Sequence, residues 1–342
     1  VLKFLKSFSY GEKYVFRNHF FSDLKCIIFH SYMSLLNTFW TTLYIWLRPL
    51  VKWILRRTTR LCELQRICYG EEKGALRTLQ IEYSLSNTRT PELKKAVHVL
   101  NNKAKDKTIT QDIVYYAVFA IVRIKNINIK IHKRFPEMLG GCIMRIWGYR
   151  QMLSRLEDLR TTAYDSNNSE HEEKLLKLWS CLQPKITLEG RISKQWQEIG
   201  FQGNDPATDF RGMGMLGLEN LLYFAETHPN AAQHVLLRSQ HPVYGYSFAI
   251  VGINISHTAY MLAQEGLAKT HFYNSSKGFP DQNAFHQFFC YLFFEFDVLW
   301  RHEKPKDIME FNHVKSKFEK NIRAKLKDPM ALFKCHFVLE NI

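Results

Sequence analysis

The feature of this chain that most limits its fold is the spacing of its apolar residues. In two long stretches these residues recur every three or four positions, as on one face of an α-helix. The two sets are Phe248, Val251, Ile255, Ala259 and Leu262, and Phe285, Phe289, Leu292, Phe296 and Leu299. No convincing alternation of apolar and polar residues, the pattern of a half-buried strand, accompanies them. With 46% apolar residues in 342 positions the chain can bury a sizeable core, and the pattern predicts an all-α, multi-helix protein.

Local signals predict three more helices. Ser169 followed by Glu172 forms a capping-box pattern at the start of one of them. The apolar run from Ile113 to Val122 predicts a buried helix within residues 70–135, which are otherwise polar and irregular. A last helix is expected over about residues 307–329.

Positive charge is concentrated at the front of the chain. Of the formal charge of +15, residues 1–70 carry an excess of +8, from eleven Lys or Arg against three acids. Within them, residues 26–47 contain no charged side chain, a length sufficient to cross a bilayer. Polar residues dilute this run, so the sequence leaves open whether it spans a membrane or lies on one.

Residues 46–60 alternate basic and large apolar side chains. At about 100° per residue most of the basic residues fall on one third of a helix and the apolar ones on the rest. This is typical of a helix that lies on an anionic membrane surface. The residues expected to face the membrane are Trp46, Arg48, Lys52, Trp53, Arg56, Arg57 and Arg60. The alternative is that the apolar side packs on the protein's own core, and nucleic acid is not an expected partner because no recognised binding motif is present.

The cysteines and histidines favour no metal or covalent chemistry. Seven cysteines are scattered without a C-x-x-C pair, which predicts reduced thiols and a cytoplasmic location. The basic front of the chain is expected to lie on an endomembrane surface. His171 lacks the second histidine of a zinc helix, and no Cys and His form a nucleophile signature. We therefore expect no metal and no cofactor of the protein's own.

Residues 196–218, here called the glycine-rich loop, are the one stretch where helical periodicity stops. They contain five glycines and one proline, and a loop that loses so much chain entropy on ordering is expected to have a geometric role. Gly212, Gly214 and Gly217 match the dinucleotide fingerprint G-x-G-x-x-G. No strand pattern precedes them, so a dinucleotide site is not expected.

Two carboxylates in the same loop, Asp205 and Asp209, have the residue type that acid–base catalysis uses. An Asp-Pro turn and a helix N-cap explain them more simply.

These motifs resemble those of the ELMO-domain-containing GTPase-activating proteins, which act on Arf and Arf-like small GTPases. The similarity extends over roughly residues 137–335 and is closest to the short members of that family. The segments that carry it are Cys62–Ile67, Tyr164–Ser166, His171–Glu173, Arg191–Trp196, Glu198–Gly203, Asp205–Pro206, Thr208–Gly212, Gly214 with Gly217–Leu218, Gly245–Asn254 and Ile308–Asn312. Together, the charge pattern at the front and the resemblance predict three regions: a basic, amphipathic membrane-associating segment at 1–70, a helical linker at 71–136 and an ELMO domain at 137–335.

The resemblance also implies that Arg211 is an arginine finger for an Arf-family GTPase, which itself holds the GTP and Mg²⁺. The residues expected to bind the partner or support the loop are Gln202, Asp205, Asp209, Phe210, Gly212 and Gly214. Trp196 and Phe201 are expected to anchor the loop in the core, since large aromatic residues at a helix end usually bury their area.

Two alternatives remain at this stage. Arg211 could instead pair with Asp205 or Asp209 and hold the loop together, because a buried arginine is normally paired. The protein could also be a non-catalytic scaffold that binds a small GTPase, or its exchange factor, at a membrane.

Overall fold

The computed structural model describes residues 42–43, 46–47 and 50–338. The chain divides into two compact units, Val1–Glu63 and Leu64–Ile342. In the first unit residues 50–59 are helical. No helix in the described ranges combines the length and the apolar character that crossing a bilayer requires.

The residues of the first unit predicted to face a membrane are largely solvent-exposed. Trp46 and Trp53 expose most of their surface, and Lys52 forms an ion pair with Glu63 at 2.5 Å. The remaining described basic side chains of this set are all exposed, namely Arg56, Arg57 and Arg60. Arg48 and most of the uncharged stretch 26–47 lie outside the described residues.

Twelve α-helices follow in the described chain, the first beginning at the boundary between the units. They are α1 (Glu63–Gly70), α2 (Ala75–Ser86), α3 (Pro91–Lys105), α4 (Gln111–Ile124), α5 (Phe135–Thr161), α6 (Ser169–Leu182), α7 (Gly214–Thr227), α8 (Pro229–Ser239), α9 (Phe248–Gln264), α10 (Lys269–Ser275), α11 (Gln282–Glu303) and α12 (Phe311–Lys325). Three 3₁₀ turns, Lys194–Ile199, Pro206–Gly212 and Ile308–Glu310, interrupt them. Because the described residues form no strand, the predicted all-α fold is confirmed.

Helix α7 lies at the centre of the second unit, where it contacts α5, α6, α8, α9 and α11. Ten of its fourteen residues are buried, as expected for a helix that is apolar around most of its circumference. The two helices predicted from their periodicity are α9 and α11, and they bury every residue of the predicted sets except Leu299, which is half-buried. The glycine-rich loop leads directly into α7, so its end is fixed to the core.

The region 71–136 contains three long helices where local patterns predicted one. The apolar run 113–122 lies in α4, but α2 and α3 were hidden in polar sequence. The reason is visible in α3, whose buried stripe consists only of Leu93, Leu100 and Ala104. All three helices pack against α5, so they belong to the second compact unit.

A buried carboxylate joins α2 to the rest of this unit. Glu82 is 8% exposed and accepts hydrogen bonds from Lys269 Nζ at 2.8 Å, Tyr273 OH at 2.9 Å and Arg150 Nη2 at 3.1 Å. Burial raises the pKa of Glu82, but Lys269, Tyr273 and Arg150 outweigh it, and the net pKa lies below its ordinary value. The charged carboxylate therefore links α2 to α5 and α10.

The last described residues, 331–338, form no helix or strand and pack on the second unit. The predicted last helix begins with the 3₁₀ turn Ile308–Glu310 and continues as α12. Beyond it, Phe333 stacks on Tyr291 with ring centroids 4.7 Å apart, and its backbone N–H donates to His271 Nδ1 at 3.1 Å. Burial lowers the pKa of His271 to about 4, so the ring is neutral and can accept this hydrogen bond.

Candidate functional site in the glycine-rich loop

Two capped 3₁₀ turns give the loop its shape. Ser193 caps the turn Lys194–Ile199 by accepting the Gln195 backbone N–H at 3.2 Å, and Asp205 caps the turn Pro206–Gly212 by accepting the Ala207 N–H at 3.0 Å. Between them Gly200 has a φ of 84°, and a Cβ atom there would lie 2.2 Å from the Phe248 nitrogen. Only glycine fits this approach to the start of α9.

A continuous row of aromatic rings anchors the loop. Trp196 contacts Trp179 of α6 and Phe201 of the loop, with centroid distances of 5.4 and 5.8 Å. Phe201 contacts Phe210, which also packs on Tyr164, each at 5.6 Å. Trp196, Phe201 and Phe210 are all buried, so the residue immediately before Arg211 is fixed in the core.

Arg191 is the arginine that cross-links the loop to α6. Its Nε donates to Glu172 at 2.7 Å and its Nη1 donates to Asp205 at 2.8 Å. The guanidinium also lies over the ring of Tyr164, 5.5 Å from the centroid, and the Tyr164 hydroxyl donates to Glu172. Because Asp205 caps the second 3₁₀ turn as well, one carboxylate fixes both the turn and Arg191.

The two loop carboxylates are held in different electrostatic environments. Burial raises the pKa of Asp205, but the Ala207 N–H and Arg191 outweigh it and hold the pKa below its ordinary value. Asp209 accepts the Gln202 backbone N–H at 2.9 Å. Burial raises the pKa of Asp209, a change that this hydrogen bond and the charge of Arg211 only partly oppose.

Arg211 is exposed at the end of the second 3₁₀ turn. Within the described part of the chain its guanidinium forms no hydrogen bond and no ion pair, although its positive charge acts to lower the pKa of Asp209. Gln202 is exposed too, and in the same described ranges its side-chain amide makes no hydrogen bond. The structure thus places an unpaired guanidinium and an unpaired amide on the surface of an anchored loop.

The glycines of the G-x-G-x-x-G pattern have unequal roles. Gly214 is buried with a φ of 51°, and an added Cβ would lie 2.4 Å from the Thr162 carbonyl oxygen. Gly217 packs on Phe210 and Met213. Gly212 is exposed and an added Cβ would meet nothing within 4 Å. Of the two glycines expected to permit close approach of a partner, only Gly212 faces outward, because the end of α5 occupies the space at Gly214.

Two further expectations about this region were wrong. Asn168, not Ser169, caps α6 by accepting the Glu170 N–H at 3.0 Å, which leaves Glu172 available to Arg191 and Tyr164. Asp205 is an N-cap as expected, whereas Asp209 lies inside the 3₁₀ turn and binds the Gln202 N–H instead.

Sequence reasoning assigned no role to Arg191 or Tyr164 and only a capping role to Glu172, because the partners of these side chains follow no local spacing. The Arg191 segment was identified only as part of the family resemblance.

Within the described residues, the chemistry available to this site is that of a binding surface that presents the unpaired guanidinium of Arg211. In the residues that the structure describes, no three His, Cys, Asp or Glu side chains converge to hold a metal ion. The six cysteines among them form no disulfide bond. What the loop offers a partner is the guanidinium of Arg211, the amide of Gln202 and the open backbone at Gly212.

Comparison with known proteins places this loop in a family. The ELMO/CED-12 family model matches residues 154–315, which include the whole site. The chain is 46% identical over 304 residues to ELMO domain-containing protein 1 of Mus musculus, with 84% of this chain and 90% of that protein covered. It is 46% identical over 278 residues to ELMO domain-containing protein 2 of Homo sapiens, with 81% and 91% covered.

A more distant relative has similar coverage. The chain is 35% identical over 281 residues to ELMO domain-containing protein B of Dictyostelium discoideum, with 81% of this chain and 94% of that protein covered. Together with the all-α fold, this identity over nearly the full length of the relatives means that the chain belongs to the family of ELMO domain-containing proteins.

Proposed function

We propose that this protein is a GTPase-activating protein that inserts Arg211 into the active site of an Arf-family small GTPase. The observation that carries the proposal is the difference between two arginines, Arg191 just before the glycine-rich loop and Arg211 within it. Arg191 makes the ion pairs that hold the loop, whereas Arg211 is exposed and unpaired within the described residues. An arginine that serves only the fold would be expected to have a partner.

The chemistry of GTP hydrolysis explains why such a side chain is useful. Negative charge spreads over the transferring phosphoryl group and the leaving oxygen in the transition state. A guanidinium is planar and always protonated, and can donate to two of these oxygens at once, which a lysine ammonium cannot do with the same geometry. An arginine finger accelerates hydrolysis by roughly 10³- to 10⁵-fold, or about 4 to 7 kcal/mol of barrier.

The loop around Arg211 favours this role because its backbone is fixed before a partner arrives. Phe210 is buried on one side of Arg211, and Asp205 caps the 3₁₀ turn that contains it. A side chain presented from ordered backbone loses less entropy on binding than one from a flexible loop. Gly212 leaves open space beside the guanidinium for the backbone of a partner.

The test is single-turnover hydrolysis of GTP preloaded on Arf and Arf-like GTPases. The full chain should accelerate hydrolysis, and Arg211→Lys should reduce the acceleration by roughly 10³-fold or more while the protein stays folded. Arg89→Lys is the matched control, because Arg89 is an exposed arginine between α2 and α3 and should retain full activity.

Two outcomes would contradict the proposal. A folded Arg211→Lys protein that stimulates as well as the unaltered chain would exclude the finger role. Binding that depends on GTP, without faster hydrolysis on any GTPase of the panel, would favour the scaffold function instead.

The front of the chain supports an accompanying proposal about location. The exposed Trp46 and Trp53, together with the neighbouring exposed basic residues, favour contact of this segment with an anionic membrane on a cytoplasmic surface. Removal of residues 1–60 should then reduce flotation of the protein with anionic vesicles. Equal flotation of the shortened and full chains would exclude this role for the segment.

A further inference from the structure

Helix α4 is apolar on two sides, and the core covers only one of them. The buried side consists of Val114, Val118, Ile121 and Val122. On the other side Tyr115 is 59% exposed, Tyr116 is 71% exposed and Phe119 is 37% exposed. A helix that is apolar around its circumference is normally covered by protein or lipid, so this second side lacks a partner.

The exposed aromatic residues form one patch. The ring centroids of Tyr115 and Phe119 are 4.5 Å apart, and the rings of Tyr115 and Tyr116 meet edge to face at 6.0 Å. Single exposed aromatic residues are common on protein surfaces, whereas contiguous patches mark sites of interaction.

The sequence that follows this patch is basic and contains no acid. Residues 113–136 include five Lys or Arg and neither Asp nor Glu. Arg123 is exposed four positions after Phe119 and therefore lies on the same stripe of α4. The nearest acid on the helix is the exposed Asp112 in its first turn, one helical turn before Tyr116.

An ordered turn follows α4 in the chain and also exposes apolar and basic side chains. The Asn128 side chain accepts the Lys130 N–H at 3.0 Å, and its carbonyl accepts the His132 N–H at 3.0 Å. The turn exposes Ile131 by 73% together with Lys130 and Lys133. Apolar and basic side chains are thus presented next to each other on fixed backbone.

The net positive charge of the second unit lies in the part of the chain before residue 137. Residues 71–136 carry thirteen Lys or Arg and six acids, an excess of +7, whereas residues 137–342 carry 23 of each and are neutral. The aromatic patch therefore belongs to the basic part of the unit, while the glycine-rich loop belongs to the neutral part.

We propose that the α4 face, defined as Tyr115, Tyr116, Phe119, Arg123 and the turn 128–133, docks on an anionic lipid bilayer. Tyrosine rings are suited to the headgroup region because one end is apolar and the other is polar. The basic side chains can reach lipid phosphates while their stems and Ile131 lie against the acyl boundary. Protein interfaces are depleted in lysine, so the pattern fits lipid better than a protein partner.

Hydroxyl-radical labelling of the full chain, read by mass spectrometry, tests the α4 face separately from the front of the protein. Tyr115 and Tyr116 should be labelled roughly threefold more slowly with vesicles of phosphatidylcholine and about 30% phosphatidylserine, because burial in the headgroup region excludes water. The exposed Met309 of the 3₁₀ turn Ile308–Glu310 should be labelled equally with and without vesicles. Phosphatidylcholine alone should give no protection.

A pair of charge-matched variants tests the basic turn with the same readout. Each lysine near an anionic surface contributes about fivefold to binding, so Lys130→Gln/Lys133→Gln should require roughly 25-fold more lipid for half-maximal protection. Lys277→Gln/Lys306→Gln removes the same charge from exposed positions in the neutral part and should shift the midpoint less than about twofold.

The proposal is overturned if Tyr115 and Tyr116 are labelled equally while the protein is bound to vesicles, or if the protein binds no vesicles at all. It is also overturned if protection appears at high protein concentration without lipid, which would indicate self-association, or with RNA in place of vesicles. The result does not depend on the proposed role of Arg211.

Discussion

Arg191 pairs with Asp205 at 2.8 Å, and this contact joins the segment just before the glycine-rich loop to the 3₁₀ turn that presents Arg211. The sequence alone allowed Arg211 to be the partner of Asp205. The structure gives that partner to Arg191, and Glu172 completes the network at 2.7 Å. Arg191 is therefore structural, and Arg211 remains available to a partner.

The first prediction concerns the stability contributed by these two arginines. Arg191→Ala should lower the free energy of unfolding by about 1 to 2 kcal/mol, because it removes the charged donor shared by the part-buried carboxylates of Glu172 and Asp205. Arg211→Ala should change it by less than about 0.5 kcal/mol, as for an exposed surface residue. Urea unfolding of both variants checks the contrast, and equal effects would show that the division of roles is wrong.

The second prediction separates the first two glycines of the G-x-G-x-x-G pattern, Gly212 and Gly214. Gly214→Ala should destabilise the protein by about 2 kcal/mol or more, because it combines a left-handed φ with a contact of 2.4 Å to the Thr162 carbonyl. Gly212→Ala should leave the thermal unfolding midpoint nearly unchanged, since nothing lies within 4 Å. If Gly212→Ala is as damaging as Gly214→Ala, the surface at Gly212 is not open.

The third prediction concerns Asp209 and rests on the proposed GTPase-activating function. Asp209→Ala removes the acceptor of the Gln202 N–H and should slow stimulated hydrolysis roughly 10- to 100-fold, because Arg211 is then misplaced. Asp209→Asn keeps an oxygen acceptor and should restore most of the rate. Single-turnover rates at saturating protein measure this. Asp209 would instead be an acid–base group if Asp209→Asn were as inactive as Asp209→Ala.

The fourth prediction is a pH dependence carried by His271. Its pKa is about 4 in the folded protein because of burial, against an ordinary value of 6.5, so between these values the unfolded chain binds more protons. Stability from this group is complete above pH 6.5 and is lost as the pH falls toward 4, by up to about 3 kcal/mol.

Denaturant unfolding at a series of pH values measures this loss. Burial also lowers the pKa of His286 to about 4, so the full chain loses stability at both sites. His271→Asn retains a side chain that can bond to the Phe333 N–H and should show a shallower loss over the window. An unchanged slope would exclude His271 as a contributor.

The helices could be predicted where packing demands a wide apolar face. The periodic sets of α9 and α11 are almost entirely buried, and the run 113–122 lies in α4. Helices α2 and α3 could not be predicted in this way. The narrow buried stripe of α3 leaves most of that helix polar, and α2 is held partly by polar contacts such as those of Glu82.

The site was less accessible to sequence reasoning than the fold. Spacing indicated an ordered loop, and residue type indicated that Phe210 and Trp196 would be buried, as they are. Spacing could not indicate which arginine would reach Asp205, since Arg191 lies fourteen residues away and its position depends on both 3₁₀ turns. It also could not show that the end of α5 fills the space beside Gly214.

The Glu82 network has a practical consequence for dissecting this protein. The family model begins at residue 154, and a fragment starting near there would lack Glu82, the acceptor of Lys269 and Tyr273. A fragment starting at 137 would also leave Arg150 without Glu82, and the indole N–H of Trp147 without Asn101, to which it donates at 2.9 Å. Such fragments are expected to aggregate or to report a weakened protein. The compact unit that contains all of these partners begins at Leu64, so the unit expected to fold on its own is about 90 residues longer at its front than the matched family region.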